Sequence, residues 1–371
     1  MTLRHVLAAA LASGVLAAGV AQPAGAAPRD PVRGQLQQLV DAGFPAALAA
    51  VRDRDGRTRD LTAGVGDLRT GARVPVDGQV RIGSNSKTFL AVAVLQLVGE
   101  GKVALDSPVD TYLPGLVRGE GIDGRQITVR QLLQHTSGLP NYSDHLGTED
   151  FVPLRFTYYE PRELLDLALA HPADFPPGSK WAYSNTNYVV AGLLVQKVTG
   201  RPLAEVLTNR VINRAGLRHT YSPAVGEQEI RERHPHGYHP DAAGRLQDVT
   251  ELDPSFGWGA GQMVSTPSDL NKFFRALLGG RLLPAEQLKQ MRTTVPAAGL
   301  GAGTGYGLGL ASTPLSCGGV AWGHGGDIPG YETRGGVTED GRAVAVAVTA
   351  LPGSSEQASG VRTAVDTALC A

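Results

Sequence analysis

Ser84 and Lys87 stand three positions apart in RIGSNSK, and the apolar run TFLAVAVLQLV follows at once. Side chains at that spacing share one face of a helix. A lysine there, partly buried and close to the positive end of the helix, loses its proton more easily than in water. A neutral Lys87 could then take the proton of Ser84 and make it a nucleophile. The helix start also aims backbone N–H groups at the reacting centre, which suits a developing oxyanion. The competing reading is that Ser84 only caps the start of a buried helix. Alone, Ser-x-x-Lys is a weak motif in a chain of this length.

Two further stretches carry chemistry. Tyr183-Ser184-Asn185, in AYSNTNY, is the only Tyr-x-Asn in the chain and lies just before a helical pattern. A tyrosine near a lysine can have its hydroxyl pKa lowered and relay a proton, and an asparagine can hold a substrate amide. The alternative is a buried aromatic followed by a helix cap at Asn185. His324-Gly325-Gly326, in WGHGGDIPGY, ends a strand pattern. Glycine there lets a substrate backbone lie against the strand edge, and a backbone N–H can complete an oxyanion hole. His145-Leu146-Gly147 has the same His-x-Gly form but sits in a polar loop, so His324 is preferred. The run RHPHGYHP clusters His234, His236 and His239, yet Pro and Gly interleave and leave no rigid element for a metal. The glycine run GLGAGTGYGLG lacks the strand–turn–helix context of a phosphate loop. No Gly-x-Ser-x-Gly elbow is present, which disfavours a lipase-type hydrolase.

These pieces need elements to position them. Asp30 and Pro31 start a helix, and two β-type runs flank Asp55-Gly56 as a hairpin. Near the other end, GGVAWGHGG, YETRGGVT and RAVAVAVTAL read as three strands, followed by a helix over about 356–369. The middle is helical: Thr128 caps VRQLLQH, PRELLDLALAH is amphipathic, and NTNYVVAGLLVQKVTG ends at a C-cap glycine, Gly200. The expected class is α+β: an antiparallel sheet of about five strands from both chain ends, flanked by helices, with a mainly helical subdomain inserted at about 100–290.

The 371 residues are 42% hydrophobic, enough for a sizeable core, and the formal net charge of -1 offers no basic excess for nucleic acid. Arg4 and His5, an uncharged apolar stretch over 6–20 and Ala24-Gly25-Ala26 read as a secretory signal spanning 1–26. The mature protein, 27–371, is then expected outside the cytoplasmic membrane with no stable anchor. Cys317 and Cys370 in an oxidising compartment read as a disulfide, worth about 4 kcal/mol in the chain-entropy model; the alternative is two free thiols. No metal or organic cofactor is implied, and nothing demands more than a monomer.

Together, Ser84/Lys87, Tyr183/Asn185 and His324/Gly326 resemble the penicillin-recognising serine hydrolases, whose fold combines an antiparallel sheet, flanking helices and an inserted helical domain. VRIGSNSKTF, VLQLVGEGK, ITVRQLLQHTSGL, DLNKFFRALL and GYGLGL extend the resemblance over nearly all of the mature chain, toward the secreted Streptomyces D-alanyl-D-alanine carboxypeptidases. The resemblance implies that Ser84 forms an acyl-enzyme and that Lys87 and Tyr183 share acid/base work. It implies that Asn185 holds the acyl amide and that the N–H groups of Ser84 and Asp327 form the oxyanion hole. Phe256 and Trp258, in PSFGWGAGQM, would wall the acyl pocket, the alternative being ordinary core packing, and β-lactams would be covalent inhibitors.

The sequence departs from those carboxypeptidases at the carboxylate anchor. Ala311 stands where they carry an arginine, and His324-Gly325-Gly326-Asp327 replaces His-Thr-Gly-Thr. A carboxylate at 327 would repel a substrate carboxylate. The first reading is a D-alanyl-D-alanine carboxypeptidase-type enzyme acting on small or cell-wall peptides. The alternative is a D-stereospecific amidohydrolase, aminopeptidase, esterase or acyltransferase in which Asp327 meets a substrate cation. A third possibility keeps the carboxylate and anchors it through Arg334. A β-lactamase stays open, and the complete Ser84/Lys87/Tyr183 set argues against a non-catalytic sensor.

Overall fold

The structure, a computed structural model, describes residues 30–147 and 151–371. The signal read at 1–26 lies outside the described residues. Helix α1 (Pro31–Asp41) begins where expected: the Asp30 carboxylate accepts the Val32 N–H at 2.9 Å, with Pro31 in the first turn. β1 (Ala46–Arg52) and β2 (Thr58–Asp67) form the hairpin around Gly56, and β3 (Ala72–Arg73) extends its edge.

Among the helices that follow are α2 (Ser86–Gly99), α3 (Val129–Leu133), α4 (Pro161–Leu169), α5 (Thr186–Thr199) and α6 (Pro267–Leu278). Thr128 caps α3 in a capping box, and Gly200 closes α5 in the left-handed conformation at φ +65°. Small ladders interrupt this region, pairing 118–119 with 122–123 and 238–240 with 246–248.

The chain then returns to the sheet through β4 (Val295–Pro296), β5 (Gly305–Tyr306), β6 (Ala311–Pro314), β7 (Val320–Gly323), β8 (Gly326–Ile328), β9 (Tyr331–Val337) and β10 (Ala343–Val348). Helix α7 (Ser355–Cys370) closes the fold. The order is β4-β5-β6-β7-β9-β10-β1-β2-β3, with β8 paired to β9, so the antiparallel sheet has ten strands and not about five. The extra strands are edge pieces of two to four residues, too short to show a period of two.

The centre of the sheet is covered on both faces, which is why β1 and β10 are almost continuously apolar. On one face Val344, Val346 and Val348 pack with Leu36 of α1 and Val361 of α7. On the other, Ala343, Ala345 and Ala347 meet the core that contains α2 and α6. Every residue of α2 from Ser86 to Leu97 is buried, and Phe89 stacks on Phe273 of α6 at 3.7 Å. A helix apolar on all sides has to be an interior helix. The Cys317–Cys370 disulfide ties the β6–β7 turn to the end of α7. Among the described residues no helix is long and apolar enough to cross a membrane.

Candidate active site

Ser84 lies in a tight turn, Gly83–Asn85, that runs into α2. The turn is pinned from three sides. Asn85 Nδ2 donates to the Ile82 carbonyl at 3.1 Å and to Thr333 Oγ1 at 2.8 Å. Ser86 Oγ donates to the Gly83 carbonyl at 2.7 Å and accepts the Met263 N–H at 3.1 Å. Strand β8 then comes hard against it. A Cβ at Gly326 would sit 1.9 Å from the Ile82 carbonyl, and one at Gly83, whose φ is +48°, would sit 2.8 Å from the Asp327 nitrogen. Only glycine permits that approach.

No side chain caps α2 among the described residues. The capping reading of Ser84 is therefore corrected: its hydroxyl lies 2.9 Å from Lys87 Nζ. Lys87 is fully buried, and Nζ donates to Asn185 Oδ1 at 2.7 Å and to the Ala260 carbonyl at 2.8 Å. None of these three partners is a carboxylate. Burial pushes the Lys87 pKa well below the ordinary lysine value, against a weaker opposite pull from Asp327.

The Tyr183 ring stands 4.9 Å from Lys87 Nζ and 4.2 Å from the His135 ring. Its pKa moves opposite to the expected lowering: burial raises it, and the hydrogen bond to Ser84 offsets only part of that. Asn185 opens α5 without capping it through its side chain. Its Nδ2 donates to Ser143 Oγ at 3.0 Å and its backbone N–H donates to Asn141 Oδ1 at 2.9 Å. Asn141, Ser143 and the Ala260 carbonyl were not singled out from the sequence; the nearest signal is the polar run Asn141–Asp144 directly after HTSGLP.

The His324 ring is buried and turned inward. Its Nδ1–H donates to the Gly325 carbonyl at 2.5 Å, and Nε2 accepts the Tyr306 hydroxyl at 2.9 Å. Burial and the nearby Lys87 lower its pKa to about 3, so the ring is neutral. His145 stacks instead on His171, with ring centres 3.6 Å apart. The Phe256 carbonyl accepts the Tyr142 hydroxyl at 2.5 Å while its ring meets Phe151 edge-on at 5.4 Å. The Trp258 indole crosses Gly192 of α5 and, with Gln196 and Pro202, lines a hollow of about 390 Å³. A different cavity, about 660 Å³, opens beside Tyr183. Trp258 is not among its walls.

Asp327 is 56% exposed and paired with Arg334, whose Nη2 lies 2.9 Å away. Asp327 faces Glu332 across β8 and β9, and Arg334 and Glu332 pair with Val346 and Val348. Their side chains therefore lie on the face covered by α1 and α7. Glu332 is fully buried; Arg334 Nη2 stands 2.7 Å from its Oε1, yet neither carboxylate oxygen is aligned for a hydrogen bond.

A profile of the Beta-lactamase family matches residues 32–369. A D-stereospecific amidohydrolase from Streptomyces sp. is 40% identical, with a TM-score of 0.80 over 88% of this chain and 96% of that one. The D-amino acid amidase of Ochrobactrum anthropi SV3, complexed with D-phenylalanine, is 30% identical, with a TM-score of 0.81 over 91% and 96%. The putative penicillin-binding protein PbpX of Bacillus subtilis is 27% identical over 71% of this chain, which spans only 60% of PbpX. With the matching profile covering nearly the whole described chain, this protein belongs to the β-lactamase and penicillin-binding protein superfamily of serine hydrolases.

Proposed function

We propose that this protein is an amidohydrolase that cleaves amides and short peptides of D-amino acids through an acyl-enzyme on Ser84. A neutral Lys87 keeps its two N–H bonds to Asn185 and to the Ala260 carbonyl and turns its lone pair to the Ser84 hydroxyl. Ser84 Oγ bonds to the substrate carbonyl carbon as its proton passes to Lys87. The oxyanion is held by the N–H groups of Ser84 and Asp327. Tyr183, kept protonated by its raised pKa, hands a proton to the leaving nitrogen and is reprotonated from Lys87. The C–N bond breaks. Water then attacks the ester, giving up its proton to the same pair, and releases the acid and Ser84.

The observation that favours an amide over a free C-terminal carboxylate is the missing anchor. Ala311 offers no cation where it pairs with Gly323 on β6 and β7, and Arg334 is held between Asp327 and Glu332. That also argues against Arg334 as the substitute anchor and against Asp327 as a free site for a substrate cation. The two amidohydrolase structures lend support from similarity. The leader read at 1–26 supports secretion, and the family supports β-lactams as covalent inhibitors.

The test compares an N-acylated peptide ending in D-Ala-D-Ala with its C-terminal amide, using Ser84→Ala as control. A tenfold or larger preference for the amide in kcat/KM, about 1.4 kcal/mol of transition-state stabilisation, is expected. Preference for the acid would return the protein to the carboxypeptidases.

A further inference from the structure

Tyr183 is held by a residue that the proposed reaction does not use. His135 stands where the chain leaves α3, its N–H donating to the Leu132 carbonyl at 3.2 Å. Its φ is +59°, in the left-handed region. Helices usually end there on glycine, because a residue with a Cβ is strained in that conformation. His135 is also fully buried, and its Nε2 has no hydrogen-bond partner among the described residues. A strained backbone and an unpaired buried nitrogen both cost stability. Something else at this position has to offset them.

The compensation lies against Tyr183. His135 grips the chain on both sides of that tyrosine: the Ala182 N–H donates to its carbonyl at 3.1 Å, and the Ser184 N–H donates to its Nδ1 at 3.2 Å. Asn187 Nδ2 reaches the same nitrogen at 3.1 Å, while Asn187 Oδ1 accepts the Ser137 hydroxyl at 2.5 Å. A backbone N–H can only donate, so Nδ1 carries the lone pair and the proton sits on Nε2. Burial, with smaller pushes from Lys87 and His324, keeps the ring neutral by holding its pKa well below the ordinary histidine value. Between the two grips the imidazole lies against the Tyr183 ring, with centres 4.2 Å apart and planes inclined by 30°. The rings of His324, Trp181 and Tyr306 stand farther off, at 6.3, 6.4 and 6.5 Å. Asparagine would suit the backbone better and could still accept the Ser184 N–H, but it offers the phenol no face.

We propose that His135 is a positioning residue for the leaving-group step: its ring and its grip on residues 182 and 184 hold the Tyr183 hydroxyl in line with the departing nitrogen. The assignment rests on the amidohydrolase reading above and deepens it. Tyr183 has to serve Ser84 and the leaving nitrogen from one place, and a misplacement of about 1 Å costs about a hundredfold. His135 itself touches neither the substrate nor the reacting atoms.

Two substrates with one acyl group test it. D-Phenylalaninamide needs a proton on its leaving nitrogen, whereas the p-nitrophenyl ester of D-phenylalanine releases a stable anion that needs none. Wild type, His135→Asn, Tyr183→Phe and the double variant are compared by kcat/KM, which reports acylation and not the shared hydrolysis of the acyl-enzyme. Ser84→Ala is the blank, and urea unfolding checks that each variant folds. His135→Asn should lose about ten- to a hundredfold on the amide and less than about threefold on the ester. Tyr183→Phe should lose about a hundredfold or more on the amide, again sparing the ester. Adding His135→Asn to Tyr183→Phe should cost less than about twofold more, because the group being positioned is already gone. His135→Phe, which keeps a ring but offers the Ser184 N–H no acceptor, is the second variant should Asn fail to fold, and should show the same amide-selective loss. Equal losses on amide and ester, no loss, or additive losses in the double variant overturn the assignment and leave the amidohydrolase reading standing. A Tyr183→Phe variant that spares the amide overturns the assignment together with the proton route through Tyr183. Absence of Ser84-dependent hydrolysis of the amide by the wild type overturns both readings.

Discussion

Replacing Glu332 by Gln should raise stability at pH 8 and leave it almost unchanged near pH 4.5. Glu332 is fully buried under α7, and burial lifts its carboxyl pKa to about 7, with Arg334 only partly offsetting the effect. The unfolded chain keeps the ordinary value near 4.5. Below pH 4.5 the group is protonated in both states and costs nothing. Between 4.5 and 7 the unfolded chain has released the proton while the folded chain holds it, so stability falls as pH rises. Above 7 the loss levels off. The difference of about 2.5 units corresponds to an upper bound of about 3 kcal/mol. Urea unfolding of both proteins between pH 4.5 and 8 reads the effect as a widening gap in midpoint at constant slope. Arg334 keeps Asp327 as a partner in the variant, so no cation is stranded. Parallel curves for the two proteins, or a Gln variant less stable at pH 8, would refute the reasoning and make the Arg334–Glu332 contact net stabilising.

Lys87→Met should fold and lower kcat/KM by at least about a thousandfold, since both base and proton carrier are removed. In the wild type, activity should fall on acidification as Lys87 takes up its proton, with a midpoint well below the ordinary lysine value; a pH–rate profile checks this. Gly326→Ala should cost about 1–3 kcal/mol in urea unfolding and lose most activity, because the new methyl would stand 1.9 Å from the Ile82 carbonyl and push β8 off the Ser84 turn. Reducing the Cys317–Cys370 disulfide, which spans 53 positions, should lower stability by about 4 kcal/mol in thermal or urea melts.

The sequence carried the site where geometry is local. Ser84 and Lys87 meet because α2 is a helix, and its unbroken apolar run announces an interior helix. What depends on strand register was harder. The pairing of Asp327 with Glu332, and so with Arg334, follows from the two-residue turn Pro329-Gly330, the one local signal for it in the sequence. With that register, Asp327 shares a sheet face with Glu332 and Arg334. The direction of Trp258 depends on Gly192, which leaves room on α5 for an indole, and no spacing within PSFGWGAGQM reports that. The raised Tyr183 pKa shows the same limit: motif spacing placed it near a lysine, but its burial decides the sign.

The central pairing of the sheet also sets an order of assembly. β1 lies between β2 and β10, with Ala47 opposite Val348, and the Ala46 N–H is held by the Thr349 hydroxyl 303 positions later. The first strand made is thus among the last to be completed. Until residue 348 is available, the β1–β2 hairpin shows an open, apolar edge, which invites pairing with other chains. Closure across so long a loop is slow compared with local helix formation. Nascent or exported chains should therefore need holding by a chaperone until the C-terminal strand arrives. Truncations that end before β10 should aggregate rather than fold into a smaller protein, however intact their helical centre.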